Sequence, residues 1–226
     1  MKNIAVILCG SGFKDGSEIR ESVGVLWALS AAGVRAQCFS PDGDQADVIN
    51  CLTGEPTRDK RNMRVEAARI ARGEVRALTE FRVAEFDALI IPGGFGAAKN
   101  LCNFALQGSK GVVCSELQSA LWALAKAGKP IGAVCIAPAI LALTFRDKQL
   151  ELTVGPLSET AQEIEKLGHK HVVCRANECH VDEKHKVVTT PAYMIDDAPL
   201  HEIFLGIEKL VRAVVALSTR TPGPPE

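Results

Sequence analysis

The sequence predicts an α/β protein built on a doubly wound, mostly parallel sheet with helices on both faces. Apolar runs of strand length alternate with segments whose apolar residues have helical spacing, and this alternation is typical of parallel sheets. Runs such as DALIIPGG (87–94) are apolar without interruption, as expected for strands buried on both faces. The predicted helices over 17–33 and 61–73 both end on glycine, a common helix stop.

The first strand (3–10) is an apolar run, and the helix over 17–33 follows it after a glycine-rich turn. The same criteria predict further strands at 34–42, 87–94, 131–135, 150–155, 169–174 and 186–194. They predict further helices at 61–73, 115–130, 136–145, 159–168 and 199–218. We therefore expect a single domain over residues 1–218 and a disordered, proline-rich tail over 219–226.

Composition and charge exclude several classes of protein. The net charge of −1 and the lack of a clustered basic run argue against a nucleic-acid or membrane partner. The apolar run from Ile4 to Cys9 is too short for a signal peptide or a membrane span, so we expect a cytoplasmic location. The eight cysteines include no C-x-x-C pair and follow no disulfide framework, which indicates a reducing compartment.

One cysteine stands where a buried strand is predicted to turn into a helix, in the stretch GKPIGAVCIAPAI (128–140). A strand-to-helix turn that presents one residue at its apex has the geometry of a nucleophile elbow, and Cys135 occupies that apex. A helix N-terminus there would lower the pKa of the thiol and leave the backbone N–H of Ile136 free. The alternative is a buried, inert cysteine at the end of a strand.

A glycine-rich turn follows the strand that precedes this one in the chain, in the stretch PGGFGAAKNL (92–101). Glycine lets the backbone approach a ligand closely and expose its N–H groups. A donor from Gly94 beside the donor from Ile136 would form an oxyanion hole. The alternative is an ordinary glycine turn.

The first predicted helix supplies two candidate acid/base groups. Glu21 shares a helix face with apolar residues, and burial there would raise the pKa of its carboxyl group towards neutrality. Glu18 is the second candidate, although Asp15 as the N-cap would give Glu18 the spacing of a capping box. The residues alone leave the choice between the two glutamates open.

In combination, these features resemble the PfpI/deglycase superfamily, which is related to the class I glutamine amidotransferase fold. The resemblance rests on the first-helix glutamate, the stretch PGGFGAAKNL, and the elbow cysteine followed two residues on by Ala-Pro. The stretches CGSGFKDGSEIRES, RNMRVEAARIARGE and VVTTPAYM are similar to its ElbB branch, whose members are described as glyoxalases. The resemblance extends over residues 3 to about 217 and implies a flavodoxin-like, amidotransferase-like sheet.

The resemblance also assigns roles to residues. It implies that Cys135 is the nucleophile, that Glu21 is the family's first-helix glutamate, and that Gly94 and Ile136 supply the oxyanion-hole donors. Glu18 is a possible additional participant. The resemblance further implies a small dicarbonyl substrate, no cofactor, and a homodimer.

The sequence departs from the patterns of the wider superfamily in three places. Ile136 stands where the peptidases have histidine, 190–192 reads Thr-Pro-Ala where the amidotransferases have His-Pro-Glu, and Gly155 stands where the deglycases place a histidine. These departures disfavour a cysteine–histidine–acid triad, proteolysis and glutamine hydrolysis. The histidines of the later part of the chain are expected to be surface or internally hydrogen-bonded side chains: His169, His171, His180 and His185. No metal is expected, because Cys174, Cys179 and His180 match no standard zinc spacing.

Two functional hypotheses follow. The first is a cofactor-independent glyoxalase, in which Cys135 adds to one aldehyde of glyoxal and Glu21 moves a proton to form glycolate; an apparent deglycase activity would be the same reaction on freed dicarbonyl. The second is an oxidation sensor or binding protein with little catalysis, which would use Cys135 as a low-pKa, partly exposed thiol.

Overall fold

A seven-stranded sheet forms the centre of the computed structural model, which describes residues 1–218. Its strands are β1 (Asn3–Ile7), β2 (Arg35–Ser40), β3 (Val75–Ala77), β4 (Ala88–Ile91), β5 (Ile131–Val134), β8 (His180–Asp182) and β9 (Val187–Thr190). They lie in the order β3-β2-β1-β4-β5-β9-β8, and all neighbours are parallel except β8, which runs antiparallel to β9. Two short parallel strands, β6 (Glu151–Leu152) and β7 (Lys170–His171), form a separate pair.

Helices cover both faces of this sheet. They are α1 (Ile19–Ala31), α2 (Met63–Ile70), α3 (Phe95–Lys99), α4 (Phe104–Gln107), α5 (Ser115–Lys126), α6 (Pro138–Thr144), α7 (Glu159–Lys166) and α8 (Leu200–Leu217). Buried side chains of α1 and α8 share one hydrophobic core, and those of α5, α6 and α7 share the other. The predicted fold class is therefore confirmed.

The first strand shows how the sequence generates two cores from one sheet. Successive side chains of a strand point to opposite faces, so alternate residues enter different cores. Ile4 and Val6 pack with α1 and α8, whereas Ala5 and Ile7 pack on the opposite face with α5 and α6. All four are fully buried, which accounts for the uninterrupted apolar run in the sequence.

Several predicted elements differ from the structure in length. The strands expected at 150–155 and 169–174 shorten to the two-residue strands β6 and β7, and the strand expected at 186–194 ends at Thr190. The polar segment after β2 packs on the rest of the domain through contacts such as the salt bridge between Lys99 Nζ and Asp47 Oδ1, at 2.6 Å. The predicted disordered tail lies outside the described residues. Within residues 1–218, no helix has the length and apolar character needed to span a bilayer.

The strand order places a reversal point between β1 and β4. From β1 the chain first adds strands on one side, β2 and β3, and then builds β4, β5 and β9 on the other. In open α/β sheets, ligands bind outside the carboxyl ends of the strands beside such a reversal. The turns that follow β1, β4, β5 and β9 are therefore the segments in which a site is expected.

Candidate active site

Cys135 follows β5 directly and adopts a left-handed backbone conformation, with φ of 62°. Its N–H donates to the carbonyl oxygen of Thr190 at 2.9 Å, and the N–H of Ala137 donates to the carbonyl of Val134 at 3.0 Å. A non-glycine residue at positive φ costs about 1–3 kcal/mol and persists only where its surroundings enforce it. Cys135 thus lies at the end of the strand, as predicted. The α6 helix begins only at Pro138, so a turn separates the cysteine from the helix.

Glu21 is fully buried in the first turn of α1, where it faces the cysteine. Its Oε2 accepts a hydrogen bond from the N–H of Gly93 at 2.9 Å, and its Oε1 accepts one from the N–H of Tyr193 at 3.2 Å. Its carboxyl group also interacts with the Cys135 thiol. Three segments that are distant in the sequence thus hold the Glu21 carboxyl group next to the sulfur of Cys135.

Glu18 caps α1, and its Oε2 accepts a hydrogen bond from the N–H of Glu21 at 2.6 Å. The prediction that Asp15 is the N-cap was wrong, because the helix begins at Ile19. The buried Asp15 carboxylate instead accepts from the N–H of Ile49 at 2.9 Å and anchors the segment after β2. Glu18 therefore has a structural role in the helix start while it also lines the cavity next to Cys135.

Two backbone donors face the sulfur of Cys135. The N–H groups of Gly94 and Ile136 both interact with the thiol and lower its pKa. Gly94 has φ of 96°, and a Cβ there would lie 2.5 Å from the backbone nitrogen of Glu18, so glycine is required at this position. The structure thus brings together the four groups that the sequence singled out, on turns that follow β4 and β5 and on the first helix.

The protonation of the site differs from the sequence prediction of a lowered thiol pKa. Burial, and next the carboxylate of Glu21, raise the thiol pKa of Cys135 well above its usual range despite the two backbone donors. Burial, and next the charge of Glu18, raise the pKa of Glu21 to about 8. The α6 helix begins at Pro138, three residues after Cys135, so the thiol does not lie at the first residue of the helix as the sequence predicted. Cys135 and Glu21 therefore titrate as a coupled pair. The Glu21 carboxylate disfavours ionisation of the thiol, whereas the hydrogen bond with the Cys135 side chain lowers the pKa of Glu21 and partly opposes the effects of burial and of Glu18.

A cavity of about 310 Å³ opens over the cysteine. Its lining combines apolar side chains with a few polar groups: Phe13, Glu18, Gly94, Phe95, Cys135, Ile136, Thr160, Tyr193, Met194 and Asp196. Such a concave, largely apolar space with convergent polar groups is typical of a small-molecule site.

No histidine lines this cavity in the part of the chain that the structure describes. Ring nitrogens of the later histidines have other partners: His169 Nε2 lies 3.0 Å from the carbonyl oxygen of Ala142, His180 pairs with Glu151, and His185 pairs with Asp182. His171 Nε2 accepts from the N–H of Val154 at 3.4 Å. Residues 1–218 contain no group of three or more side chains that could hold a metal ion.

Two contributors to the site were not predicted. Gly93 and Tyr193 both position the Glu21 carboxyl group through their backbone N–H groups. A glycine pair after a buried strand gave a signal for Gly93, but only Gly94 was assigned a role. Tyr193 lies in the stretch VVTTPAYM, whose first four residues form β9, and the residues of this stretch indicate a resemblance but no role for the Tyr193 backbone. The N–H of Tyr193 contacts a side chain 172 residues away in the sequence, and a backbone contact of this kind leaves no pattern in the residues around it.

Gly93 offers a test of how tightly the site is packed. A Cβ at this position would lie 2.5 Å from the Cβ of Cys135 and 2.7 Å from Oε2 of Glu21. We expect Gly93→Ala to lower the free energy of unfolding by about 1–3 kcal/mol, because neither group can move without losing its partners. Denaturant unfolding measures this change. Gly43→Ala is the matched control, since its Cβ would make an ordinary 3.6 Å contact with Met63; equal effects of the two substitutions would contradict the described packing.

Fold and site together define a protein of the class I glutamine amidotransferase-like fold with a cysteine at a strand end and a buried glutamate beside it. The chain belongs to the DJ-1/PfpI family, whose family model matches residues 3–199. This family includes enzymes that use a cysteine nucleophile.

Several relatives match over almost the whole chain. The human glutamine amidotransferase-like class 1 domain-containing protein 3, mitochondrial, is 44% identical over 225 residues, which cover 95% of this chain and 83% of that protein. The zebrafish (Danio rerio) ES1 protein, mitochondrial, is 32% identical, with 96% of this chain and 87% of that protein covered. Among solved structures, an isoprenoid biosynthesis protein with an amidotransferase-like domain from Ehrlichia chaffeensis superposes with a TM-score of 0.90 at 37% identity, covering 96% of this chain and 99% of that chain.

Proposed function

We propose that this chain is a cofactor-independent glyoxalase of the ElbB branch, which converts glyoxal or a similar small dicarbonyl to glycolate. The observation that carries the proposal is the position of the Cys135 thiol, which lines a cavity together with Gly94 and Ile136 and interacts with their N–H groups and with the buried Glu21 carboxyl group. The stretches that resemble the ElbB branch, and the similarity to the isoprenoid biosynthesis protein, support the branch assignment.

The first step forms a carbon–sulfur bond. The sulfur of Cys135 attacks one aldehyde carbon of glyoxal, and the electrons of the C=O double bond move to oxygen. The developing oxyanion accepts hydrogen bonds from the N–H groups of Gly94 and Ile136 and then takes up the thiol proton. The product of this step is a hemithioacetal on Cys135.

The second step moves hydrogen from one carbon to the next. Glu21 removes the proton from the carbon that carries sulfur, which gives an enediol, and returns a proton to the neighbouring carbon. One carbon is thereby oxidised and the other reduced, so no external oxidant or reductant is needed. Water then cleaves the resulting thioester, which releases glycolate and restores the Cys135 thiol.

A direct assay tests this proposal. Purified protein is given glyoxal without glutathione or added metal, and glycolate is quantified by chromatography against buffer alone. We expect many molecules of glycolate per molecule of protein, at one glycolate per glyoxal consumed. Glycolate formation no faster than in buffer would refute the glyoxalase. A glycated amine given in place of glyoxal should release product only as fast as free dicarbonyl appears.

The raised pKa of Glu21 predicts how the rate depends on pH. The reactive form lacks one of the two protons that the Cys135–Glu21 pair can hold, and below the Glu21 pKa of about 8 the pair holds both. We therefore expect kcat/KM to rise about tenfold per pH unit towards that pH and then to level off. Initial rates between pH 6 and 9, corrected for the reaction in buffer, measure this. A profile that is flat or falls over this range would contradict the described site.

The sensor hypothesis receives less support from the geometry. It requires a low-pKa, partly exposed thiol, whereas burial raises the pKa of Cys135 and its side chain is almost fully enclosed. Cys51 is the exposed cysteine among the described residues. Peptide mass spectrometry after mild peroxide treatment should accordingly find Cys51 modified before Cys135.

We also propose a homodimer, a small dicarbonyl substrate with no nucleic-acid or membrane partner, and a cytoplasmic location, as the sequence and the resemblance led us to expect. Light scattering on the purified protein measures the first. The curated relatives carry the word mitochondrial in their names, so fractionation of cells that express the chain is the matching test of location.

A further inference from the structure

The cavity over Cys135 is larger and more apolar than glyoxal needs. At about 310 Å³ it reaches the lower end of the range for drug-sized ligands, whereas a two-carbon dialdehyde would fill only a small part of it. The rings of Phe13 and Phe95 line it and are 43% and 57% exposed. The two segments are joined, because the N–H of Phe95 donates to the carbonyl of Phe13 at 2.8 Å. The backbone segments that carry the two rings are thus held together.

The charged groups of the lining have one sign. Glu18 and Asp196 line the cavity, and no lysine or arginine among the described residues does so. Two cations lie outside the lining but contact residues that belong to it: Arg20 Nη1 donates to the hydroxyl of Tyr193 at 2.9 Å, and Lys14 Nζ lies 5.5 Å from the ring centroid of Phe13. An anionic ligand inside the cavity would therefore meet two carboxylates and no cation among the described lining residues.

From this lining we propose that the site selects uncharged carbonyl compounds that carry an aryl or bulky alkyl group, and disfavours anionic dicarbonyls. The inference deepens the proposed function and names the substrate class of the same site. An aromatic substituent would pack against Phe13 and Phe95 while its carbonyl carbon meets the sulfur. A carboxylate on the same substituent would be repelled by Glu18 and Asp196 and would find no cation in the lining.

Alkylation of Cys135 tests the selection without relying on catalysis. Three reagents share one leaving group: neutral iodoacetamide, anionic iodoacetate and the aryl reagent 2-iodo-N-phenylacetamide. Rates at Cys135 are measured by peptide mass spectrometry and divided by the rates at the exposed Cys51 of the same molecule. We expect iodoacetate to be disfavoured at Cys135 by about tenfold relative to iodoacetamide, and the aryl reagent to be favoured by a similar factor.

Two substitutions identify the groups responsible. Asp196→Asn should reduce the discrimination against iodoacetate by about threefold, because this exposed charge is partly screened. Phe13→Ala should reduce the preference for the aryl reagent and leave the iodoacetate ratio unchanged. Ratios at Cys135 equal to those at Cys51, or a preference for iodoacetate that Arg20→Gln removes, would overturn the inference.

Turnover separates this inference from the proposed function. We expect kcat/KM for phenylglyoxal to exceed that for glyoxal by about tenfold, and 4-carboxyphenylglyoxal to fall well below phenylglyoxal. Equal rates for all three would overturn the selection while leaving the glyoxalase intact. Absence of turnover with every dicarbonyl, together with the expected alkylation ratios, would overturn the glyoxalase while supporting the selection.

Discussion

Replacement of Cys135 by alanine is expected to lower kcat/KM for glyoxal by on the order of 10³ or more. The proposed reaction proceeds through a bond between the sulfur and the aldehyde carbon, and no other thiol lines the cavity among the described residues. The oxyanion-hole donors and the Glu21 carboxyl group would remain, so the residual rate measures what they achieve without a nucleophile. Initial rates of glycolate formation from glyoxal, measured for the unsubstituted protein and for the Cys135→Ala variant, give the comparison.

Cys51→Ala is the matched control for this substitution. It also removes one thiol, but from an exposed position, and it should leave kcat/KM unchanged. Denaturant unfolding of both variants shows whether a loss of activity reflects loss of the fold. A folded Cys135→Ala protein with near-normal activity would eliminate the covalent mechanism and leave Cys135 as a packing residue of the elbow.

The fold was predictable because short stretches of the sequence already show which strands are buried on both faces and where helices end. The pattern of β1 required burial on both sides, and glycines marked the ends of two helices. The short strands β6 and β7 were predicted too long. Some residues that flank these strands donate hydrogen bonds to side chains instead of extending the backbone ladder. The N–H of Thr153, for example, donates to Oγ1 of Thr189 at 2.9 Å. Such side-chain partners depend on tertiary contacts that a local pattern does not contain.

The reactive side chains of the candidate site were predictable from the sequence. Cys135 and Glu21 stood out because a thiol at a strand end and a carboxyl group on an apolar helix face are unusual placements. Their protonation was not predictable in the same way, since it depends on the depth of burial and on nearby negative charge, which comes from Glu21 for the thiol and from Glu18 for Glu21. The start of α1 was misjudged because the Asp15 side chain bonds to a loop that is distant in sequence.

Glu21→Gln is expected to lower kcat/KM by about 10²–10⁴, the usual contribution of an acid/base group. Glutamine keeps the length of the side chain and one carbonyl oxygen for the N–H groups of Gly93 or Tyr193, but it cannot accept the proton from the hemithioacetal. The rise of activity with pH should disappear with the carboxyl group. Initial rates over pH 6 to 9 measure both effects.

Glu18→Gln is the control that decides between the two glutamates. Its side-chain oxygen can still accept from the N–H of Glu21 and cap α1, so we expect most of the activity to remain. The negative charge of Glu18 helps to raise the pKa of Glu21, so its removal lowers that pKa. The rising limb of the pH profile should therefore move to lower pH. If Glu18→Gln instead abolished activity while Glu21→Gln retained the limb, Glu18 would be the acid/base and Glu21 a buried support of the elbow.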